Sequence, residues 1–180
     1  MIFWHLGITS LIARFVFRDP DMDLRLVAAG SLLPDVIDKP IGSIFFNGTF
    51  ETHRLFSHAL LFPVVLLFGV VAATRRGSTL RKPLIAVVIG AVVHLILDAA
   101  WVDSEAFLWP FFGWDFPPIA DSAFGPLLHR MVSDPLAWAG EAAGLAYLVF
   151  LGVKRLGSRD EVRRFLSTGR IPIPERTTGA

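Results

Sequence analysis

Three short motifs in this sequence place histidine and aspartate beside hydrophobic segments. Imidazole and carboxylate groups are good ligands for Zn, Mn or Fe. Ionisable groups in membrane-length apolar segments are costly and usually mark function. The residue types therefore predict a metal site at the ends of hydrophobic helices. The motifs are Pro34-Asp35-Val36-Ile37-Asp38, His53-Arg54-Leu55-Phe56-Ser57-His58 and His94-Leu95-Ile96-Leu97-Asp98.

His94 and Asp98 carry the strongest of these signals. They are four positions apart inside the apolar run Leu84–Trp101. Residues at i and i+4 share one face of a helix, so both side chains can reach one ion. The alternative is a hydrogen-bonded polar pair that holds neighbouring helices together.

Asp35 and Asp38 follow Pro34 and are three positions apart. Two carboxylates at a membrane boundary repel each other unless a cation or an arginine lies between them. We predict that Asp35 is a metal ligand and that Asp38 orients a water or a ligating histidine. The alternative is a polar turn that ends the helix, since aspartate is common there.

His53 and His58 flank Arg54 and Ser57 just before a strongly apolar segment. Both histidines are predicted metal ligands, one before the helix and the other in its first turn. Arg54 could neutralise a phosphate or a developing oxyanion; alternatively, it contacts lipid headgroups. Ser57 is predicted to cap the helix, because no Ser-His-Asp triad is evident.

His5 and Glu141 complete the candidate set. His5 lies near the start of the first apolar segment, and Glu141 interrupts the last one. Glu141 could serve as a general base, an extra ligand or a partner for Arg54. The predicted metal ligands are His5, Asp35, His53, His58, His94 and Asp98, and the predicted catalytic residues are Asp38, Arg54 and Glu141.

The composition indicates a small integral membrane protein. Of 180 residues, 53% are hydrophobic and 18% charged, against roughly 25% charged residues in soluble domains. The absence of cysteine excludes disulfides and thiolate zinc sites. Glycine-rich phosphate loops and nucleic-acid signatures are absent as well. We predict a membrane-embedded domain over 1–156 and a polar cytoplasmic tail over 157–180.

Five apolar segments predict an all-α, polytopic membrane bundle of about four to five helices. A full crossing takes ~20 residues. The last three segments approach that length with their flanks, whereas the first two are short, tilted or half-inserted. The segments are Phe3–Phe17, Leu24–Ile37, Ala59–Thr74, Leu84–Trp101 and Leu136–Val153.

Arginine and lysine predict the orientation of these segments. They concentrate after the first, third and last segments, which the positive-inside rule places in the cytoplasm. The candidate ligands then meet near the non-cytoplasmic face. The loop Val102–Pro135, rich in aromatic residues and proline, is expected to be a lid or an ordinary aromatic belt. A basic amphipathic helix over Arg159–Leu166 is expected on the inner leaflet.

Taken in order, the motifs resemble a family of bacterial inner-membrane metal-dependent hydrolases. Residues 1–115 carry the pattern, with one extra residue between Asp35 and Asp38 as a departure. A looser likeness is to zinc-dependent phospholipases C, which are all-helical and use His-x-x-x-Asp ligands. The matching pieces are His5, Leu33-Pro34-Asp35-Val36-Ile37-Asp38, His53-Arg54-Leu55-Phe56-Ser57-His58, His94 to Asp98, and Leu108-Trp109-Pro110.

The leading hypothesis is a zinc-dependent inner-membrane hydrolase that acts on a lipid or a lipid-linked ester or phosphoester. One or two zinc ions are expected, with Mn or Fe as alternatives, and a zinc-bound water has its pKa lowered to about 7. Two other classes stay open. One is a non-catalytic membrane protein held together by a structural metal or a polar network, and the other is a metal or proton transporter.

Overall fold

A computed structural model describes residues 1–119 and 123–171, and these residues form helices and no β-strand. The predicted all-α class is therefore confirmed. The helices are α1 (Ile2–Ile12), α2 (Leu24–Lys39), α3 (Asn47–Phe50), α4 (Leu61–Ala73), α5 (Arg81–Leu97), α6 (Ser104–Phe107), α7 (Phe124–Ser133), α8 (Pro135–Arg155) and α9 (Arg159–Thr168). Turns of π-helix at Ala13–Phe17 and Pro40–Phe45 prolong α1 and α2.

Helix α2 differs from the sequence prediction at its end. The sequence predicts a segment over Leu24–Ile37 that ends at Pro34-Asp35, but the helix continues through Pro34 to Lys39. A proline inside a helix removes one backbone hydrogen bond and does not always end it. Here the turn after Pro34 is held from outside, because the Ser57 hydroxyl donates a hydrogen bond to the Pro34 carbonyl at 2.9 Å. The continued helix places Asp35 and Asp38 in one turn.

The sequence predicts a loop over Val102–Pro135, but the structure does not show a continuous loop there. It contains the short helix α6 and the ten-residue helix α7. The sequence of α7 places apolar residues on one side, so the helix is amphipathic. The aromatic stretch before it, 108–119, remains irregular.

The close packing of α2 against α5 forms the centre of the bundle. A Cβ built on Gly30 would lie 2.1 Å from the Val87 carbonyl oxygen, and one built on Gly90 would lie 2.1 Å from the Val27 carbonyl oxygen. Small residues allow helix backbones to approach this closely. The contact brings the ligand-bearing ends of both helices together.

Replacing Gly90 with alanine is expected to destabilise the protein. The added methyl has no room against the α2 backbone, and overpacking of this kind costs about 1–3 kcal/mol. Gly69→Ala is the matched control, because a Cβ on Gly69 in α4 meets nothing within 4 Å. Thermal unfolding in detergent micelles measures both. Equal midpoints for the two variants would show that the α2–α5 contact is not tight.

One helix of the described residues, Pro135–Arg155, is long and apolar enough to cross a membrane. The helices in the predicted spans Ala59–Thr74 and Leu84–Trp101 have 13 and 17 residues, below the ~20 that a full crossing takes. The polytopic arrangement and its orientation therefore stay predictions.

Three of the four cationic residues of α2 and α5 lie at the end remote from the candidate ligands, and Lys39, in the last turn of α2, is the exception. In α5, Arg81 and Lys82 occupy the first turn, whereas His94 lies in the last. Thirteen residues of helix separate Arg81 from His94, or about 20 Å at 1.5 Å per residue. In α2, Arg25 is near the start and Asp38 near the end. This separation of charge agrees with the sequence prediction that the ligands share one end.

The tail contains the predicted basic amphipathic helix, now α9, which begins at a Ser158/Glu161 capping box. It is docked on the end of the bundle remote from the candidate ligands. Arg14 donates to the Ile171 carbonyl at 3.1 Å, and Ile171 joins a buried apolar cluster with Leu24. Residues 172–180 of the predicted tail lie outside the described residues, and the domain division at 156/157 stays a prediction.

Candidate metal centre

Four of the predicted ligands converge where α2, α5 and the turn before α4 meet. Asp35, His58, His94 and Asp98 each offer one ligand atom, and these atoms all lie within 4.8 Å of one another. His58 and His94 are buried, while the side chains of Asp35 and Asp98 are 13% and 20% exposed. The group thus has a buried imidazole side and a partly accessible carboxylate side.

The Nε2 atoms of His58 and His94 are both directed at the middle of this group. The His94 Nδ1 lies 2.7 Å from the Ser31 carbonyl oxygen, which can only accept, so Nδ1 carries the proton. The His58 Nδ1 lies 2.7 Å from an Asp38 carboxylate oxygen. In their neutral forms both rings therefore present unprotonated Nε2 atoms. Such second contacts are how proteins orient ligating histidines.

The separations within the group suit a small cation. The two Nε2 atoms are 3.3 Å apart, and bare acceptors at that distance repel each other. Metal–nitrogen bonds of about 2.0–2.1 Å in a tetrahedron place neighbouring ligand atoms roughly 3.3–3.4 Å apart. An Asp35 oxygen lies 3.5 Å from the His58 Nε2 and 3.8 Å from the His94 Nε2. The donor set and its spacing could hold a metal ion.

A buried oxygen of Asp35 adds to this fit. Its Oδ1, the atom directed at the histidines, has no hydrogen-bond partner. The other oxygen, Oδ2, pairs with Lys39 one turn later in α2. A buried carboxylate oxygen without a donor is expensive unless a cation satisfies it. Because Lys39 pairs with Oδ2, the Oδ1 of Asp35 stays available to bind a cation.

Asp38 organises the turn that carries His58. Its fully buried carboxylate accepts hydrogen bonds from the backbone N–H groups of Leu55 (2.8 Å), Ser57 (3.2 Å) and His58 (3.1 Å), as well as from the His58 ring. Burial opposes a charge on His58, but the carboxylates of Asp35 and Asp38 outweigh burial and raise the pKa of His58. Without a metal, a proton can therefore occupy this ring, and metal binding would release it.

His5 and Arg54 approach the same group through Asp98. The fully buried His5 ring stacks on His94 at a centroid distance of 4.4 Å, and its Nε2 lies 3.1 Å from the Asp98 Oδ1. Arg54 donates to the Asp98 backbone carbonyl at 3.1 Å. Its guanidinium is also 3.9 Å from the Asp98 Oδ2. A positive charge therefore lies at the rim of the group, where side chains are partly exposed.

Like His5, Asp38 and Arg54, the predicted site residues His53 and Glu141 lie outside the four-residue group. His53 is half-buried in the turn that precedes Arg54, and its predicted role as a ligand stays a prediction. Glu141 accepts hydrogen bonds from the Phe3 and Trp4 backbone N–H groups at 3.0 and 3.2 Å. These contacts satisfy free N–H groups at the start of α1. The catalytic role predicted for Glu141 also stays a prediction.

An aromatic wall stands beside the turn that carries His58. Phe56 packs edge-on against Trp109 and Phe116, with ring centroids 5.3 and 4.9 Å apart. Beyond these rings Phe111 and Trp114 are 83% and 77% exposed. The apolar surface therefore extends outward from the group, at the position where the sequence predicted a lid or an aromatic belt.

Sequence reasoning missed two contributors to this centre. The Ser31 carbonyl, which fixes the His94 tautomer, has no sequence signature because any residue has a carbonyl. Lys39 could have been found, since it lies four positions after Asp35 on one helical face.

The fold and the site define an all-helical protein with a buried cluster of metal-ligand side chains. The chain belongs to the YdjM inner membrane protein family, whose model matches residues 1–158. No curated protein and no solved structure matches the chain. Membership supports the predicted inner-membrane location. The metal-dependent hydrolase and phospholipase C resemblances stay predictions.

Proposed function

We propose that this protein is a metal-dependent hydrolase of the inner membrane that cleaves an ester or phosphoester of a lipid or lipid-linked substrate. The observation that carries this proposal is the convergence of His58, His94, Asp35 and Asp98 on one point beside a cationic side chain. Asp35, His58, His94 and Asp98 would hold the ion. When bound, a divalent ion supplies Lewis-acid polarisation and an activated water.

Arg54 is the residue of this chain best placed to bind an anionic substrate. Its backbone is fixed by a 3.2 Å hydrogen bond from the Arg54 N–H to the Thr52 hydroxyl. One guanidinium nitrogen is engaged with Asp98, and the side chain is 22% exposed. Guanidinium groups bind phosphate and carboxylate oxygens through paired, charge-assisted hydrogen bonds. In the proposed reaction Arg54 stabilises the negative charge that develops on the cleaved group.

Asp38 and Asp98 have different roles in this proposal. Asp38 holds His58 in one tautomer and orientation, which keeps its Nε2 a ligand. The partly exposed Asp98 would hold the ion, and its contacts with Arg54 keep the guanidinium beside that position.

A lipid is the substrate class that best matches the surroundings. The aromatic wall formed by Phe56, Trp109 and Phe116 leads away from the group. Exposed tryptophan and phenylalanine are typical of the membrane–water interface. A headgroup could then lie at Arg54 while the acyl chains follow the wall into the bilayer.

The direct test is hydrolysis of lipids in mixed micelles. Purified protein loaded with zinc or manganese is incubated with phospholipids and with lipid-linked phosphate esters, and the released headgroup or fatty acid is measured. We expect turnover that a chelator removes and that added metal restores. Turnover that persists in His94→Ala would come from a contaminant. The proposal would be overturned if the metal-loaded wild-type protein hydrolysed none of these lipids and esters.

Arg54→Ala is expected to lower kcat/KM by roughly 10²–10³-fold, the effect of removing one preorganised charge-stabilising group. Metal content should be unchanged, because the arginine is not a ligand. Arg54→Lys should recover part of the loss. The exposed Arg76→Ala, in the α4–α5 connection, is the matched control. An Arg54→Ala enzyme as active as this control would remove Arg54 from the mechanism.

A further inference from the structure

We infer that the centre holds a second metal ion, bound by the His5 Nε2 and the Asp98 Oδ1, so that Asp98 bridges two ions. This inference rests on the proposed metal-dependent function. It assigns His5 to an ion different from the one that Asp35, His58 and His94 share. The argument depends on three observations about the His5 ring.

The first observation is the direction of the proton on His5. The Nδ1 of His5 is in close contact with the Met1 carbonyl oxygen, one helical turn earlier. A carbonyl can only accept a hydrogen bond, so Nδ1 carries the proton. In the neutral ring, Nε2 is then an unprotonated acceptor.

The second observation is that this acceptor has no donor. His5 is fully buried, and its Nε2 has no hydrogen-bond partner. The Asp98 Oδ1 is 3.1 Å away and would form an ion pair with a protonated ring. When the ring is neutral, two acceptors face each other at a distance that ligands on one ion adopt, roughly 2.9–3.4 Å for bonds of about 2.0–2.1 Å. A cation between them removes the repulsion and the cost of burial.

The third observation is the position of the His5 ring relative to the first site. The ring stacks on His94, with centroids 4.4 Å apart and planes 26° apart. A stacked ring cannot direct its Nε2 at the same point as the His94 Nε2, and the four-residue group accordingly does not include His5. The Asp98 Oδ2 faces His58 and His94 at 3.8 Å, whereas Oδ1 faces His5. One carboxylate therefore presents one oxygen to each site.

This arrangement is that of a carboxylate-bridged pair of ions, which in two-metal hydrolases lie about 3.5–4 Å apart. Two protein ligands leave coordination positions on the second ion for waters or for substrate oxygens. His5 is contributed by α1 and the other ligands by α2, α5 and the turn before α4. Binding of the second ion would thus connect α1 to the α2–α5 pair.

Metal stoichiometry tests this inference without any need for turnover. The full chain is purified in detergent, loaded with Mn²⁺, freed of excess ion and analysed for elements. We expect two ions per chain in wild type and in His129→Ala, an exposed histidine in α7 that serves as the matched control. We expect one ion in His5→Ala and in His5→Phe, the second of which keeps an aromatic ring against His94.

Electron paramagnetic resonance gives a second readout on the same samples. A bridged Mn²⁺ pair shows a spin-coupled signal, and each folded His5 variant should show that of an isolated ion. One ion per chain in wild type, retained in both His5 variants, would overturn the second site and leave the proposed hydrolase standing. Two ions retained in the His5 variants would also overturn it. Two ions with no hydrolysis would instead count against the proposed function.

Discussion

Asp38→Ala is expected to cost this protein a large part of its stability. The substitution removes the acceptor of hydrogen bonds from Leu55, Ser57 and His58, and it leaves the buried Leu55 and Ser57 N–H groups without this partner. Removing one partner of a buried charged network typically lowers the free energy of unfolding by about 3–5 kcal/mol. The total free energy of unfolding of a whole domain is about 5–15 kcal/mol. The midpoint of thermal unfolding should fall by at least about 6 °C.

The same change is expected to weaken metal binding by about 10–100-fold, since the His58 ring loses the group that orients it. Asp115→Ala is the control, because Asp115 is exposed. Unfolding in detergent, with and without Zn²⁺, measures both effects. An Asp38→Ala protein that unfolds at the temperature of the Asp115 control would show that the turn does not depend on Asp38.

His94→Ala is expected to abolish metal-dependent turnover. A Lewis-acid ion stabilises the transition state of hydrolysis by several kcal/mol. Loss of the ion should therefore lower kcat/KM by about 10³-fold or more. The fold should survive, because the close contact of α2 and α5 at Gly30 and Gly90 remains when the hydrogen bond from His94 to the Ser31 carbonyl is lost. Hydrolysis rates and elution volume in size-exclusion chromatography, compared with those of His129→Ala, measure the two parts of this prediction.

The other two classes of function predict different results for this variant. A purely structural metal or polar network predicts that His94→Ala loses stability and expression together. A transporter predicts metal flux in proteoliposomes, and the absence of flux would exclude it. The arrangement of the described ligands at one end of the bundle, rather than along its length, favours chemistry at that end over a path across it.

The sequence predicted the helices and the shared face of His94 and Asp98 because both depend on local patterns. Each of the five predicted segments overlaps one of the observed helices α1, α2, α4, α5 and α8. The i, i+4 spacing predicted that His94 and Asp98 share a face, and both lie in the group. Such signals are carried by neighbours in sequence.

The parts that the sequence did not predict depend on contacts between distant segments. That His58 joins the group while His53 does not is determined by the turn that wraps around Asp38, 20 positions away. The separate position of His5 depends on stacking against His94 across helices. The continuation of α2 past Pro34 likewise depends on Ser57. Contacts between residues so far apart in sequence cannot be predicted from local sequence patterns.

The central claim is that this chain holds a divalent ion at the Asp35–His58–His94–Asp98 group, and metal content tests it most directly. Wild type, His94→Ala and His129→Ala are purified in detergent, supplied with zinc, freed of excess ion and measured by elemental analysis. We predict bound zinc in wild type and in the His129 control, and its loss from the group in a folded His94→Ala protein. No bound metal in wild type, or equal metal in all three proteins, would contradict the account.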